Sequence, residues 1–169
     1  MTRLTTERLT LRPPEAGDFG ALYTLTESPE MRRFLGADEP TRADSFARML
    51  RNAGSWSLYG YGSFIVHEHA SGALVGNCGI FHSYRGLGDD FDNRAEAGWI
   101  IAQGHWGKGY AIEAMAAALD WFDRAHGTDV VAMIETGNVA SEKVATKLGF
   151  SLVRTATLSG ASMTLYARA

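Results

Sequence analysis

Residues 104–114 read Gly-His-Trp-Gly-Lys-Gly-Tyr-Ala-Ile-Glu-Ala, and the first six of them include three glycines. Apolar residues then recur at spacings of three and four from Ile112 to Phe122, which predicts an amphipathic helix. The preceding segment, 94–102, has the composition of a strand. A glycine-rich turn between a strand and a helix lets backbone N–H groups and the positive helix end approach an anion. The stretch therefore predicts a strand, turn and helix that can bind a phosphate or pyrophosphate.

Two common phosphate motifs do not fit this spacing. A P-loop needs a glycine at position 102, where Ala102 stands, and a serine or threonine directly after Lys108, where Gly109 stands. A dinucleotide fingerprint needs a glycine at the position of Ile112, and no repeated parallel βαβ units surround the turn. Glycines that only tighten a strand-to-helix turn remain an alternative.

Length and composition limit the class of protein. The 169 residues suit one ordinary domain, which we expect to span residues 1–169. With 46% hydrophobic and 21% charged residues, the chain falls outside the disordered and coiled-coil classes. The formal net charge of −3 provides no basic surplus for binding phosphates, so nucleic acid is not an expected partner.

Cysteine content and apolar runs narrow the class further. Cys78 is the only cysteine, so we expect neither an internal disulfide nor a cysteine-rich metal site, and we predict no metal. No apolar run reaches the roughly 18 residues that cross a bilayer, and the N-terminus has no apolar signal core. We therefore expect a soluble, cytoplasmic protein with no membrane partner.

Strand and helix patterns on both sides of the glycine-rich turn indicate a fold that contains both element types. The predicted strands are 9–12, 63–69, 74–81, 94–102, 130–134, 150–156 and 163–168, and helices are predicted at 15–28, 41–58, 138–148 and over the run that contains 112–122. Asn138 is placed to cap the last helix. We expect an α+β fold with six to seven strands and about four helices.

Several of these segments resemble one family. Residues 106–114 resemble the acyl-coenzyme A pyrophosphate loop of the GNAT acetyltransferase superfamily, in the RimJ/RimL-type branch that modifies protein N-termini. The segments at 6–12, 76–79 and 138–150 are similar to the opening strand, the third strand and the last motif of that branch. Trp106 replaces the Gln or Arg that usually opens the loop, but tryptophan is typical of this branch.

The resemblance implies an acyl-CoA N-acyltransferase fold with a mixed, mostly antiparallel sheet. Its fourth and fifth strands would splay apart, with acetyl-coenzyme A (acetyl-CoA) as cosubstrate between them. The fourth strand would offer backbone groups of Trp99, Ile100 and Ile101 to pantetheine. The turn would hold the pyrophosphate through Gly107, Lys108, Gly109, Tyr110 and Ala111. Two polar residues, Asn138 and Ser141, would lie beside pantetheine and the thioester. For Lys108, a solvated lysine at a helix start is an equal alternative.

Transfer of an acetyl group to an amine needs a neutral amine, stabilisation of the oxyanion and a proton for the departing thiolate. Glu96 resembles the strand-four glutamate of the family and is predicted to be the general base, directly or through water; an ordinary solvated carboxylate is the alternative. A backbone N–H near Ile101 is expected to donate a hydrogen bond to the oxyanion.

The resemblance also implies a role for Ser141 beside the thioester: its hydroxyl would donate a hydrogen bond to the sulfur or protonate it. A serine hydroxyl is a poor acid, but the task is modest because the pKa of a thiol is about 8.5. An ordinary serine at a helix start is the alternative. Cys78 lies in an apolar strand and is expected to be a buried core thiol, so we predict direct attack in a ternary complex rather than a covalent acyl-enzyme.

The acceptor amine is less well defined. An α-amino group, with a pKa of about 7.8, is neutral far more often at pH 7 than lysine, with a pKa of about 10.4, so a protein or peptide N-terminus is the easier acceptor. Polyamines, aminoglycosides and amino acids remain alternatives, as does a catalytically silent acyl-CoA-binding module. Acidic residues at 89–92 would attract a cationic acceptor. A monomer and a homodimer are equally compatible with the sequence.

Overall fold

The computed structural model describes residues 2–35 and 41–168, and within these ranges eight strands form one sheet. The strands are β1 (Leu4–Thr5), β2 (Leu9–Arg12), β3 (Ser63–Glu68), β4 (Leu74–Ser83), β5 (Arg94–Ile101), β6 (Val130–Glu135), β7 (Ser151–Leu158) and β8 (Ala161–Arg168). The α-helices are α1 (Phe19–Leu25), α2 (Pro29–Arg32), α3 (Arg42–Tyr59), α4 (Tyr110–His126) and α5 (Val139–Lys147). The predicted α+β class is confirmed.

The two central strands of the sheet diverge. The strand order is β1-β2-β3-β4-β5-β6-β8-β7, and every neighbouring pair is antiparallel except β5 and β6. The parallel pairing of β5 with β6 covers only residues 95–97 and 130–132. From residue 98 onward β5 stays paired with β4, while β6 continues along β8. The predicted splay is therefore confirmed, and it leaves a gap beside the second half of β5.

Helix α4 packs on one face of the sheet. Gly109, with a φ of 78°, is its N-cap, and Gly127 ends it. The buried residues of this helix recur at helical spacing and belong to the main core, and they are Tyr110, Ala114, Met115, Ala118, Leu119 and Phe122. Complete burial of a side chain such as Met115 contributes about 1.5–3 kcal/mol to folding. The core therefore fixes the position of the glycine-rich turn that precedes the helix.

The opposite face of the sheet has a smaller core that contains Phe91, Val131, Met163 and Leu165. Side chains alternate along a strand, so Glu96 lies on this face while its neighbour Ala97 packs toward α4. The strand thus carries the candidate base on the face away from α4.

The structure has more short elements than the sequence patterns predict. Strand β1 has two residues, too few for a period to show. The helix predicted over 15–28 consists of a 3-10 turn at Ala16–Asp18 followed by α1, which ends at Leu25, and the separate short helix α2 follows it. Helix α2 begins anew because the Ser28 hydroxyl accepts from the N–H of Met31 and Pro29 occupies the first turn. Across the described part of the chain the sheet has eight strands rather than six to seven, and the α-helices number five rather than about four.

Candidate active site

The gap between β5 and β6 leaves one backbone edge of β5 open. The N–H of Ala102 donates to the carbonyl oxygen of Val75 at 2.8 Å, which fixes the alternation along the antiparallel β4–β5 pair. By that alternation the backbone groups of Ile100 point toward β4, and those of Trp99 and Ile101 point toward the gap. The prediction that Ile100 offers its backbone to pantetheine is therefore wrong, whereas Trp99 and Ile101 have the predicted orientation.

Trp106 closes the far end of this edge. Its indole N–H donates to the carbonyl oxygen of Ile101 at 2.7 Å, and half of the residue, 50%, is exposed. The carbonyl oxygen of Ile101, which has no strand partner on the side of the gap, thus accepts a hydrogen bond from the residue that directly precedes the turn. Trp106, which departs from the broad superfamily pattern, therefore has a defined hydrogen bond that the sequence does not reveal.

The glycine-rich turn, 107–109, has the backbone geometry of an anion site. Gly107 and Gly109 have φ values of 75° and 78°, a left-handed conformation that side chains other than glycine rarely adopt. Among the residues that the structure describes, no side chain caps the N-terminus of α4. Its first N–H groups are therefore available to a ligand, as the sequence predicts.

Lys108 is engaged by the protein. Its Nζ lies 3.2 Å from Nδ1 of His105 and 3.8 Å from Oε1 of Glu68, a residue with only 9% exposure. Hydrogen bonds from Ser71 and from the Tyr110 hydroxyl hold the pKa of Glu68 below its usual value. The ammonium group of Lys108 thus lies beside an ionised carboxylate and is only partly available to a phosphate.

Glu96 lies in the short paired segment of β5 and β6, two residues before the strands diverge, and it is 3% exposed. The guanidinium of Arg85 donates from Nε to Oε2 and from Nη2 to Oε1, each at 2.7 Å. A buried, doubly paired carboxylate differs from the ordinary solvated one that was the alternative, so that alternative is wrong. Arg85 comes from the polar segment between β4 and β5, and nothing in its sequence context distinguishes it.

Two acidic residues of that segment, Asp90 and Asp92, bind other residues of the protein. Asp92 accepts from the N–H groups of Arg85 and Gly88 at 2.8 and 2.9 Å, and Asp90 pairs with Arg154 of β7. Hydrogen bonds from Arg154 hold the pKa of Asp90 below its usual value. These two carboxylates hold the segment in place, and the attraction of a cationic acceptor by the acidic residues at 89–92 stays a prediction.

The N-terminus of α5 has the predicted cap. Oδ1 of Asn138 accepts from the N–H of Ser141 at 3.2 Å. Ser141 is half-buried, and its hydroxyl has no hydrogen-bond partner within residues 2–35 and 41–168. That hydroxyl is available to a ligand.

Cys78 is completely buried, and burial raises the pKa of its thiol to about 12. A thiol in that state is a poor nucleophile, in agreement with the expected core role.

Metal ligands and membrane spans were also sought across the described ranges. Within residues 2–35 and 41–168, no three His, Cys, Asp or Glu side chains are close enough to hold a metal ion. In the same ranges every helix is too short or too polar to cross a bilayer.

Known proteins share this sequence pattern and this fold. The profile of the acetyltransferase (GNAT) domain family matches residues 8–151. The uncharacterised N-acetyltransferase p20 of Bacillus licheniformis is 31% identical over 154 residues, which cover 89% of this chain and 83% of p20. A solved protein of Bordetella pertussis assigned to the GnaT acetyltransferase family is 32% identical, with a TM-score of 0.88 and complete coverage of both chains.

A more distant likeness concerns the fold alone. RimL, a ribosomal-protein alpha-N-acetyltransferase solved in complex with coenzyme A, is 17% identical to this chain. Its TM-score is 0.77, and the match covers 99% of this chain and 97% of RimL.

Proposed function

Because the chain belongs to the acetyltransferase (GNAT) domain family, we propose that it transfers an acetyl group from acetyl-CoA to a primary amine, by preference the α-amino group of a protein or peptide. The observation that carries this proposal is the open edge of β5, which leads from Glu96 to the glycine-rich turn. Acetyl-CoA supplies the activated acetyl thioester when it is bound.

Three groups of residues fit this cosubstrate. Trp99 and Ile101 turn backbone groups toward the gap, where pantetheine would find hydrogen-bond partners. The uncapped N–H groups of residues 107–111 would hold the pyrophosphate, supported by the positive end of α4. Asn138 and Ser141 would lie beside pantetheine and the thioester, and the free hydroxyl of Ser141 supports this placement.

Glu96 is the proposed general base. It would take the proton of the acceptor amine directly or through a water molecule. Arg85 holds both carboxylate oxygens, which fixes the orientation of Glu96 in the short paired segment before β5 and β6 diverge. Each oxygen keeps a further lone pair for the amine or the water.

Ser141 is the proposed donor to the sulfur, and direct attack by the amine is the proposed route. A modest donor suffices because a thiol with a pKa of about 8.5 leaves readily. The buried thiol of Cys78 supports the direct route, since no other cysteine is present to carry the acetyl group.

The choice of acceptor rests on chemistry. An α-amino group is neutral at pH 7 far more often than a lysine side chain, a difference of about 3.5 kcal/mol from pKa values near 7.8 and 10.4. The likeness of the fold to RimL supports the same class of acceptor. Small-molecule amines are the competing class.

Release of free thiol from acetyl-CoA tests both parts of this proposal. The purified protein is given acetyl-CoA with one of four acceptors: a peptide with a free N-terminus, the same peptide with a blocked N-terminus and an internal lysine, spermidine, or an aminoglycoside. We expect release only with the free N-terminus. Release only with spermidine or the aminoglycoside would contradict the proposed acceptor.

Thermal unfolding with acetyl-CoA, ATP or NAD tests cosubstrate binding separately. A ligand at about one hundred times its dissociation constant adds about 2.7 kcal/mol of stability. We expect stabilisation by acetyl-CoA alone. Stabilisation without thiol release from any amine would favour a silent binding module.

A further inference from the structure

Arg8, which directly precedes β2, reaches the glycine-rich turn from 100 residues away in the sequence. Its Nη1 donates to the carbonyl oxygen of Lys108 at 2.9 Å, and its Nε donates to Oε2 of Glu113 at 2.6 Å. Its guanidinium also lies 4.7 Å from the centre of the Tyr110 ring. One side chain therefore contacts the turn and the first turn of α4.

The contact with Lys108 affects the direction of the backbone. An anion site made of backbone needs N–H groups that face the ligand and carbonyl groups that face away from it. Lys108 stands between the two left-handed glycines, and rotation of the peptide that joins it to Gly109 would turn its carbonyl toward the ligand. The hydrogen bond from Arg8 holds that carbonyl on the protein side.

The contact of Arg8 with Glu113 affects the charge at the N-terminus of α4. Glu113 lies in the first turn of α4, with a side chain that is 17% exposed. Burial alone raises the pKa of Glu113, but hydrogen bonds from Thr6 and Arg8 outweigh this effect and hold the pKa below its usual value. An ionised carboxylate this close to the helix N-terminus repels an anion, and Arg8 neutralises it.

Lys108 is poorly placed to provide the same neutralisation. Its Nζ lies beside Glu68 and His105. The balance of charge at the turn therefore depends on two pairs, Lys108 with Glu68 and Arg8 with Glu113, and only the second also contacts the backbone of the turn.

We propose that Arg8 is a positioning residue for the glycine-rich turn: it holds the Lys108 carbonyl away from the anion and neutralises Glu113, so that the N–H groups face the pyrophosphate of acetyl-CoA. This inference rests on the proposed function, because it requires that the turn bind acetyl-CoA. Arg8 acts through the turn and makes no ligand contact of its own.

Calorimetric binding of two probes, coenzyme A and dephospho-coenzyme A, tests the inference. Dephospho-coenzyme A retains the pyrophosphate but lacks the 3′-phosphate. For Arg8→Gln we expect the Kd of both probes to rise by the same factor, about tenfold, which corresponds to ~1.4 kcal/mol. For Glu113→Gln we expect a Kd that is unchanged or lower, because the acid is removed and the positive charge remains.

The matched control is Arg12→Gln. Arg12 forms a comparable pair with Asp18, with contacts of 2.7 and 2.8 Å, but it does not touch the turn. We expect this variant to lower the melting temperature and leave both Kd values unchanged. Arg8→Lys, which keeps the charge but loses the guanidinium fork, serves as a second variant if Arg8→Gln fails to fold, and its Kd should rise less than tenfold.

The possible results separate the two levels of the proposal. If the unaltered protein binds neither probe, the proposed function fails. If it binds both but Arg8→Gln binds them equally well, only the role of Arg8 fails. An effect of Arg8→Gln that is confined to coenzyme A would show direct contact with the 3′-phosphate, and equal weakening by Glu113→Gln would show a purely structural pair; either result overturns the inference.

Discussion

The two halves of β5 share one strand but offer opposite chemistry. Residues 95–97 are paired on both sides, and Glu96 within them is buried and held by Arg85. Residues 98–101 are paired only with β4, and their other edge faces a gap. The first half can therefore hold a desolvated carboxylate in one orientation, while the second half can offer backbone groups to a ligand. A change of neighbour in mid-strand separates the buried carboxylate, to which we assign proton transfer, from the open backbone edge, to which we assign cosubstrate binding.

Removing the carboxylate from the first half should have the largest effect. We expect Glu96→Gln to lower kcat by about a hundredfold, since general base catalysis contributes about 10²–10⁴-fold, and to leave the Kd for coenzyme A unchanged. Steady-state kinetics and calorimetry measure the two quantities. Asp18→Asn is the control, because Asp18 also pairs with an arginine, Arg12, but away from the gap and from the segment that carries Arg85, and its kcat should not change. A kcat of Glu96→Gln equal to that of the unaltered protein would remove Glu96 from the mechanism.

A substitution in the glycine-rich turn, which lies beyond the second half of β5, should instead affect the binding of coenzyme A. Gly107→Ala and Gly72→Ala both add a Cβ in open space at a positive φ, 75° and 68°. Both should cost about 1 kcal/mol of stability through backbone strain. Only Gly107→Ala should raise the Kd for coenzyme A, by about tenfold. If the two variants bind coenzyme A equally well, the glycines of the turn are structural only.

Trp106 sharpens the comparison at the boundary of the open edge. Trp106→Phe removes the N–H that satisfies Ile101, and Trp56→Phe removes a similar bond to Ser63. Each loss should lower stability by about 1 kcal/mol. A change in coenzyme A affinity, of about threefold, is expected for Trp106→Phe alone. Equal affinities in both variants would show that Trp106 does not define the edge of the site.

Acid should have the smallest effect of the four. The pKa of Asp18 lies below its usual value because Arg12 donates hydrogen bonds to it. A lowered pKa in the folded state gives stability that is complete above the ordinary carboxylate pKa of about 3.9 and is lost as pH falls through the lower, folded value. The free energy of unfolding, measured with denaturant, should fall less steeply from pH 5 to pH 2 for Asp18→Asn than for the unaltered protein. Identical slopes would mean that the pair adds nothing to acid stability.

Local sequence patterns predicted most of the elements and part of the site. The capping pair Thr41 and Asp44 starts α3, and Asn138 caps α5, because a cap is made by residues three apart in the chain. The strand, turn and helix around residues 94–122 followed from composition and period. The splay of β5 and β6, in contrast, entered through the family resemblance, since no local pattern shows where two strands part.

Contacts between distant segments could not be predicted in this way. Arg85 and Glu96 form a pair because β4 and β5 are neighbours and the segment between them folds back. The orientation of Ile100 depends on the register of the same strands, which one residue of shift would reverse. Both facts are properties of strand pairing rather than of composition.

By itself, the sequence determined the mixed fold, the glycine-rich turn at the start of α4 and the residue types available for acyl transfer. Those features depend on local conformation, where the period of apolar residues and the freedom of glycine act over a few positions. Only the tertiary structure decided which edge of β5 is open, which arginine holds Glu96 and that Arg8 supports the turn. Charges and backbone edges of distant segments meet only after the sheet has formed, because burial and strand register, not proximity in the chain, bring them together.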